Sequence, residues 1–135
     1  MNQILPKLET TSVAELMQRS FIQVHPEDRL EQLQRELSGQ EVYPQLPVTD
    51  SGQMVGFLPL AKLEGLSREL WSQARVDQFL DRDFQKLSIA PGQSAWTALE
   101  AMKSGKWIQL FVVEGGHLIG VISANDLLAW VRSNG

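Results

Sequence analysis

A chain of 135 residues with 43% hydrophobic and 21% charged residues has a globular composition, and its length fits one domain or two half-size units. Its formal net charge of −4 disfavours broad binding to nucleic acid or to an anionic membrane, since both depend on a basic face. Without cysteine, a signal-peptide core or a long apolar run, it has no disulfide or cysteine zinc site, and we expect a soluble, cytoplasmic protein without direct membrane insertion.

The first half of the chain predicts a helix, a strand, a helix, a hairpin and a closing helix. Residues 12–15 have the spacing of a capping box, which marks the start of a short helix. A β-prone run follows at residues 21–24, and residues 30–37 carry the apolar stripe of an amphipathic helix. Ser51 and Gly52 then form the two-residue loop of a tight hairpin between two apolar strands.

The second half of the chain predicts the same elements in the same order. Residues 84–89 are β-prone, and residues 95–102 carry an apolar helical stripe. Gly115 and Gly116 form the next hairpin loop, and the apolar spacing of residues 124–131 predicts the final helix. This agreement in order is the first sign of a duplication.

An internal alignment shows the duplication directly. Residues 110–127 align with residues 46–63 without a gap, and VDQFL at residues 76–80 matches VAELM at residues 13–17. Self-similarity over most of a chain indicates repeated structural units. The chain therefore contains two copies of one unit.

The copies define the predicted organisation. Residues 1–11 form an N-terminal lead, residues 12–66 the first repeat, residues 67–74 a linker and residues 75–133 the second repeat. One unit is too small to bury its sheet, so we expect the two to pack sheet to sheet in a pseudo-two-fold arrangement. The predicted class is α/β, in the broad sense that includes α+β, with the order β-α-β-β-α in each repeat.

The strings that carry a family resemblance are VAELM at residues 13–17, LPVTDSGQMVG at residues 46–56 and GVISAND at residues 120–126. Through their order and duplication, residues 12–132 resemble a pair of CBS repeats, a Bateman-type module. The resemblance implies a regulatory, ligand-sensing homodimer without catalytic activity of its own. It also implies binding of an adenine nucleotide (AMP, ADP or ATP) or S-adenosylmethionine in the cleft between the repeats. Such modules modulate an attached or partner enzyme, transporter or channel.

A narrower resemblance lies in LEGLSRELWSQARV at residues 63–76, which is similar to the CBS pairs appended to site-2-type membrane zinc proteases. The sequence has no HExxH motif, so a protease would lie outside this chain. His25 and His117 are separated and no cysteine is present, so neither a zinc site nor a Cys-His dyad is predicted. We expect no catalytic residue, no metal site and no enzyme activity.

Ser123 and Asp126 form the candidate nucleotide site at the start of the last helix. A helix N-terminus attracts phosphate, and the Ser123 hydroxyl can add a hydrogen bond. Asp126 can accept hydrogen bonds from ribose hydroxyls, and Gly120, before Ile122, would let a ligand approach the backbone. The same Ser-x-x-Asp spacing is also a capping box that needs no ligand, and the two interpretations are compatible.

The first repeat has lost this motif. Pro59 stands where the second repeat has Ser123, and Lys62 stands where it has Asp126. Proline removes a hydroxyl and an amide donor, and lysine cannot accept from ribose. We therefore predict one site per chain. The loss also favours an alternative function, a ligand-free dimerisation or partner-interaction module with a degenerate nucleotide site.

In the CBS family, the motif of one repeat faces ligand-contacting segments of the other. The resemblance therefore adds six residues to the candidate site: Ser20, Phe21, Ile22, Tyr43, Pro44 and Gln45. Ile22, Tyr43 and Pro44 would form an apolar slot for adenine, with Gln45 at its edge. Core packing is the alternative for Ile22 and Tyr43.

Two arginines occupy matching positions after the first helix of each copy. Arg19 and Arg82 could reach the phosphates of a bound nucleotide. A solvated surface position is the alternative for either.

Overall fold

The chain divides into two compact units that do not follow the order of the sequence repeats. A computed structural model describes residues 4–134. Unit 1 combines the chain up to Phe21 with the chain from Gln85 onward, and unit 2 spans Ile22–Phe84. Each unit therefore contains most of one repeat, which we call its body. It also contains the short N-terminal part of the other repeat, which we call the leading segment. The repeat and linker boundaries themselves stay a prediction.

The described residues form both α-helices and β-strands, which confirms the predicted α+β class. In chain order they are α1 (Ile4–Thr10), α2 (Val13–Leu16), α3 (Leu30–Leu37), β1 (Gln45–Asp50), β2 (Gln53–Pro59), α4 (Arg68–Gln73), β3 (Ser88–Ile89), α5 (Ala95–Gly105), β4 (Gln109–Glu114), β5 (His117–Ser123) and α6 (Ala124–Asn134). Short 3₁₀ turns cover Leu60–Leu63, Val76–Gln78 and Phe84–Leu87.

Unit 1 packs helices against three strands. β3 runs parallel to β4, and β4 runs antiparallel to β5. Gly115 and Gly116 join β4 to β5 with φ of 58° and 83°, a left-handed pair that suits a tight hairpin and confirms the predicted loop. The core draws on α1, α2, α5 and α6 as well as the strands, and consists of Leu8, Val13, Met17, Ile89, Ala95, Ala98, Met102, Leu110, Val112, Ile122 and Leu127.

Unit 2 is built on the hairpin of the first repeat. β1 pairs antiparallel with β2, and the loop residues Ser51 and Gly52 have φ of 53° and 83°. The two hairpins of the chain thus share one turn conformation, as their alignment predicts. The helices and turns of unit 2 cover a core of Val24, Leu30, Leu33, Leu46, Val48, Leu58, Leu63, Ala74 and Val76.

The first strand of each repeat is shorter than the sequence predicts. In residues 21–24 only Val24 pairs, through an isolated parallel bridge to Val48, and in residues 84–89 only β3 is a strand. In the second repeat the 3₁₀ turn Phe84–Leu87 takes the place of the predicted strand residues before β3. Val24 is 2% exposed, so this buried residue pairs through a single bridge without forming a longer strand.

The end of the first repeat also differs from the prediction. The expected closing helix is only the 3₁₀ turn Leu60–Leu63, and Gly65 soon after it adopts a φ of 83°. The predicted linker, residues 67–74, instead contains α4. The Ser67 hydroxyl accepts a hydrogen bond from the Leu70 N–H at 3.3 Å, which explains where that helix begins.

In unit 2 the leading segment that contains Leu80 and Asp81 crosses β2 next to Gly56. Phe57 and Asp81 exchange two backbone hydrogen bonds, of 2.9 and 2.8 Å. The neighbouring Gly56 has no side chain in the way: a Cβ there would lie 2.6 Å from the Asp81 carbonyl oxygen and 2.6 Å from Leu80 Cδ1. Backbone cannot move aside as a flexible side chain can, so the crossing requires glycine.

Gly56→Ala should therefore lower the free energy of unfolding by about 2 kcal/mol, because the added methyl forces the crossing segment outward. The measurement is urea denaturation of the whole chain, read as the shift of the midpoint. Gly92→Ala is the matched control: a Cβ there meets nothing within 4 Å, so its effect should stay within about 0.5 kcal/mol. Equal midpoints for the two variants would contradict the steric argument.

Candidate functional site

Ser123 and Asp126 form a reciprocal pair at the junction of β5 and α6 in unit 1. The Ser123 N–H donates to Asp126 Oδ2 at 2.8 Å, and the Ser123 hydroxyl lies 3.0 Å from the same oxygen. In return, the Asp126 N–H donates to Ser123 Oγ at 3.1 Å. This is the capping box that the sequence predicts as one of two compatible interpretations. It fixes the orientation of the Asp126 carboxylate relative to the helix.

The second oxygen of that carboxylate is occupied by Gln18. The Gln18 Nε2–H donates to Asp126 Oδ1 at 2.9 Å. The Gln18 backbone is itself fixed, since it exchanges hydrogen bonds of 2.8 and 3.0 Å with Val121 on β5. Sequence reasoning missed Gln18, because nothing in its spacing connects it to a residue more than a hundred positions away.

Gly120 has a packing role where Met17 and Gln18 cross β5. A Cβ at this position would lie 2.6 Å from Met17 Sδ and 3.0 Å from the Gln18 carbonyl oxygen. The close passage of residues 17 and 18 over β5 thus explains the glycine without a ligand. The predicted approach of a ligand at Gly120 stays a prediction.

The first amides of α6 are partly used within unit 1. The Ala124 N–H donates to the Ile108 carbonyl at 2.8 Å, and the Asp126 N–H is bound to Ser123. Ser123 is 1% exposed, so its hydroxyl is directed to Asp126 rather than to solvent. A contact between Ser123 and phosphate stays a prediction, whereas its capping role is visible.

The predicted site residues fall into both units. Unit 1 holds Ser20, Phe21, Gly120, Ile122, Ser123 and Asp126, and unit 2 holds Ile22, Tyr43, Pro44 and Gln45. Ile122 is fully buried in the core of unit 1, while Ser20 is exposed. Ile22 is half-buried against the core of unit 2, which agrees with the core-packing interpretation of this residue. Tyr43 is also half-buried. That these residues share a ligand stays a prediction.

The corresponding position in unit 2 lacks the capping box. Pro59 ends β2 and precedes the 3₁₀ turn Leu60–Leu63, where it provides no side-chain cap. Lys62 is exposed in that turn. The two copies therefore differ in local structure as their sequences indicate. Unit 1 has the fixed Asp126 carboxylate at this position, and unit 2 has the exposed Lys62 side chain.

Metal-ligating and membrane-spanning features are not found between residues 4 and 134. No group of three or more histidine, aspartate or glutamate side chains in that range is placed to hold a metal ion. Within the same range, every helix is too short or too polar to cross a bilayer.

The comparison with protein families decides the relationship. The model of the CBS domain matches residues 13–63 and 78–133, the two copies found by internal alignment. The chain belongs to the CBS domain family. The resemblance proposed from the sequence is thus confirmed over most of its length. No curated protein matches the chain.

Solved structures share the CBS fold at low sequence identity. Protein MJ1004 from Methanocaldococcus jannaschii is 17% identical with a TM-score of 0.82, over 91% of this chain and 60% of that one. The CBS domain of a bacterial CNNM/CorC family Mg²⁺ transporter in complex with ATP is 23% identical with a TM-score of 0.76, over 95% and 92%. The cytosolic domain of the Mg²⁺ channel MgtE in complex with ATP is 21% identical with a TM-score of 0.75, over 93% and 51%. The chain therefore spans less than two thirds of MJ1004 and about half of the MgtE domain.

Ser123→Ala should lower the free energy of unfolding by about 1 kcal/mol, because it removes the acceptor for the Asp126 N–H at the start of α6. Ser94 is a matched position in the same unit, since its hydroxyl accepts from the Thr97 N–H at 3.0 Å at the start of α5. Ser94→Ala should cost a similar amount in the same urea titration. If Ser123→Ala leaves the free energy of unfolding unchanged while Ser94→Ala lowers it, the capping box at α6 adds no stability.

Proposed function

We propose that this CBS pair is a regulatory module that senses an adenine nucleotide (AMP, ADP or ATP) through Asp126. The observation that carries the proposal is the Asp126 carboxylate, which is half-buried and held by Ser123 at the start of α6. A fixed carboxylate is a good acceptor for the two adjacent hydroxyls of ribose, since the entropy of ordering the side chain has already been lost. Two related CBS structures in complex with ATP support the ligand class.

In this proposal each residue has a separate role. Ser123 orients Asp126, and Asp126 accepts from the ribose hydroxyls. The family resemblance adds Ile22, Tyr43 and Pro44 as the surroundings of the adenine ring, with Gln45 at the edge. S-adenosylmethionine carries the same adenine and ribose, so it belongs to the ligand class to be compared.

A bound nucleotide would regulate by favouring one arrangement of the module over another. Such a shift requires that the two arrangements differ in affinity for the ligand. The proposed assembly is a homodimer, and the regulated protein is an attached or partner enzyme, transporter or membrane protease. The module itself is proposed to have no catalytic role.

Binding should be measured by thermal shift and calorimetry with AMP, ADP, ATP and S-adenosylmethionine on the whole chain. A ligand that binds the folded state raises the melting midpoint by mass action. Asp126→Ala should abolish the shift or weaken binding at least about tenfold, since hydrogen bonds to a charged acceptor are lost.

Ser94→Ala is the control for that experiment. It removes a helix cap in the same unit and should leave ligand affinity unchanged, which separates loss of the site from loss of stability. If none of the four ligands shifts the midpoint at millimolar concentration, nucleotide sensing is wrong for this chain.

A ligand-free dimerisation or partner-interaction module is the second candidate, and one observation favours it. The Asp126 carboxylate accepts three hydrogen bonds within the chain, two from Ser123 and one from Gln18. The carboxylate then needs no ligand to be satisfied. Absence of binding in the screen, with an intact dimer in sedimentation, would support this function.

Arg19 is proposed to supply positive charge to the phosphates. It directly follows Gln18, is exposed, and has no ion-pair partner within residues 4–134. Arg19→Ala should weaken ATP binding about fivefold and leave adenosine binding unchanged, because only ATP carries the charge that arginine attracts. Arg132→Ala, an exposed arginine in the last turn of α6, is the control. Equal losses for ATP and adenosine would contradict a phosphate role.

A further inference from the structure

The side chain of Gln18 occupies an acceptor that a ribose would need. We propose that Gln18 competes with the ligand for Asp126 and thereby sets how strongly the site prefers ribose over deoxyribose. This inference rests on the proposed function, because it concerns the selectivity of the same carboxylate. It assigns Gln18 a role as a specificity-determining residue.

The Asp126 carboxylate can accept only a limited number of hydrogen bonds. Two carboxylate oxygens offer about four lone-pair sites. Oδ2 already accepts from the N–H and the hydroxyl of Ser123, so both of its sites are used. Oδ1 accepts from the Gln18 amide, which leaves one site. A ribose presents two adjacent hydroxyl donors, so it can use both sites of Oδ1 only if Gln18 leaves.

A 2′-deoxyribose presents one hydroxyl in place of two. It can take the remaining site of Oδ1 while Gln18 stays bound. Gln18 therefore opposes the ribonucleotide more than the deoxyribonucleotide, and it narrows the difference between their affinities. Removing the amide should widen that difference.

The geometry allows Gln18 to leave without disturbing the fold. Its side chain is exposed, and its position is set by backbone hydrogen bonds to Val121 that do not involve the amide. A rotation of the side chain would free Oδ1 and leave the crossing segment in place. The amide contact is thus not needed to hold the segment.

The other copy shows that this contact belongs to unit 1. Asp81 occupies the matching place on its own crossing segment, through its backbone pair with Phe57. Its side chain turns back and Oδ1 accepts from the Asp83 N–H at 2.8 Å. Unit 2 has Lys62 at the position that corresponds to Asp126. A side-chain amide on the crossing segment is therefore paired with a carboxylate in unit 1, and unit 2 has neither group at the matching positions.

The test is calorimetric titration of the wild type and Gln18→Ala with AMP and 2′-deoxy-AMP, and in parallel with ATP and 2′-deoxy-ATP. Gln18→Ala should tighten ribonucleotide binding about fivefold, the size of one net hydrogen bond, and change deoxyribonucleotide binding less than about twofold. The ribose preference should therefore rise.

Gln93→Ala is the matched control, an exposed glutamine of unit 1 that makes no described side-chain hydrogen bond. It should change neither affinity, and it should keep the urea midpoint of the wild type. An unchanged ribose preference, or weaker binding of both nucleotides to Gln18→Ala, would overturn the inference. If Asp126→Ala still abolishes binding in that case, the proposed function stands without it. If neither the wild type nor Gln18→Ala binds any of the four nucleotides, both fail.

Discussion

The crossing of a leading segment over the second strand of a hairpin is the contact on which each unit depends. In both units it consists of two backbone hydrogen bonds beside a glycine, Gly56 in unit 2 and Gly120 in unit 1. A side chain at either position would meet the crossing segment at less than van der Waals distance. The crossing places Gln18 next to Asp126, so the chemistry of the candidate site follows from a backbone contact rather than from the site residues themselves.

Features encoded over a few residues were predictable from the sequence. The hairpin loops, the capping box at residues 123–126 and the loss of that box at Pro59 and Lys62 each depend on neighbours in the chain. The duplication made these predictions stronger, because two independent copies with the same spacing reduce the number of chance interpretations. The family followed from the same strings.

Features that depend on distant parts of the chain were not predictable in the same way. The Gln18 amide on Asp126 links two ends of the sequence, and the membership of each leading segment in its unit is equally non-local. The short first strands were overestimated because an apolar residue such as Leu87 is buried in a 3₁₀ turn rather than in a strand. Apolar character reports burial reliably, but a short run does not specify the backbone that achieves it.

The assignment of each leading segment to the body of the other repeat has a consequence for how such a chain arises. A single repeat on its own would carry a segment that it does not use and would lack one that it needs. Two separate single-repeat chains could satisfy both by exchanging segments, as in a domain-swapped dimer. Joining them end to end turns that exchange into an intramolecular event at high effective concentration. Two copies within one chain need not be identical, and here residue 126 is an aspartate whereas the matching residue 62 is a lysine.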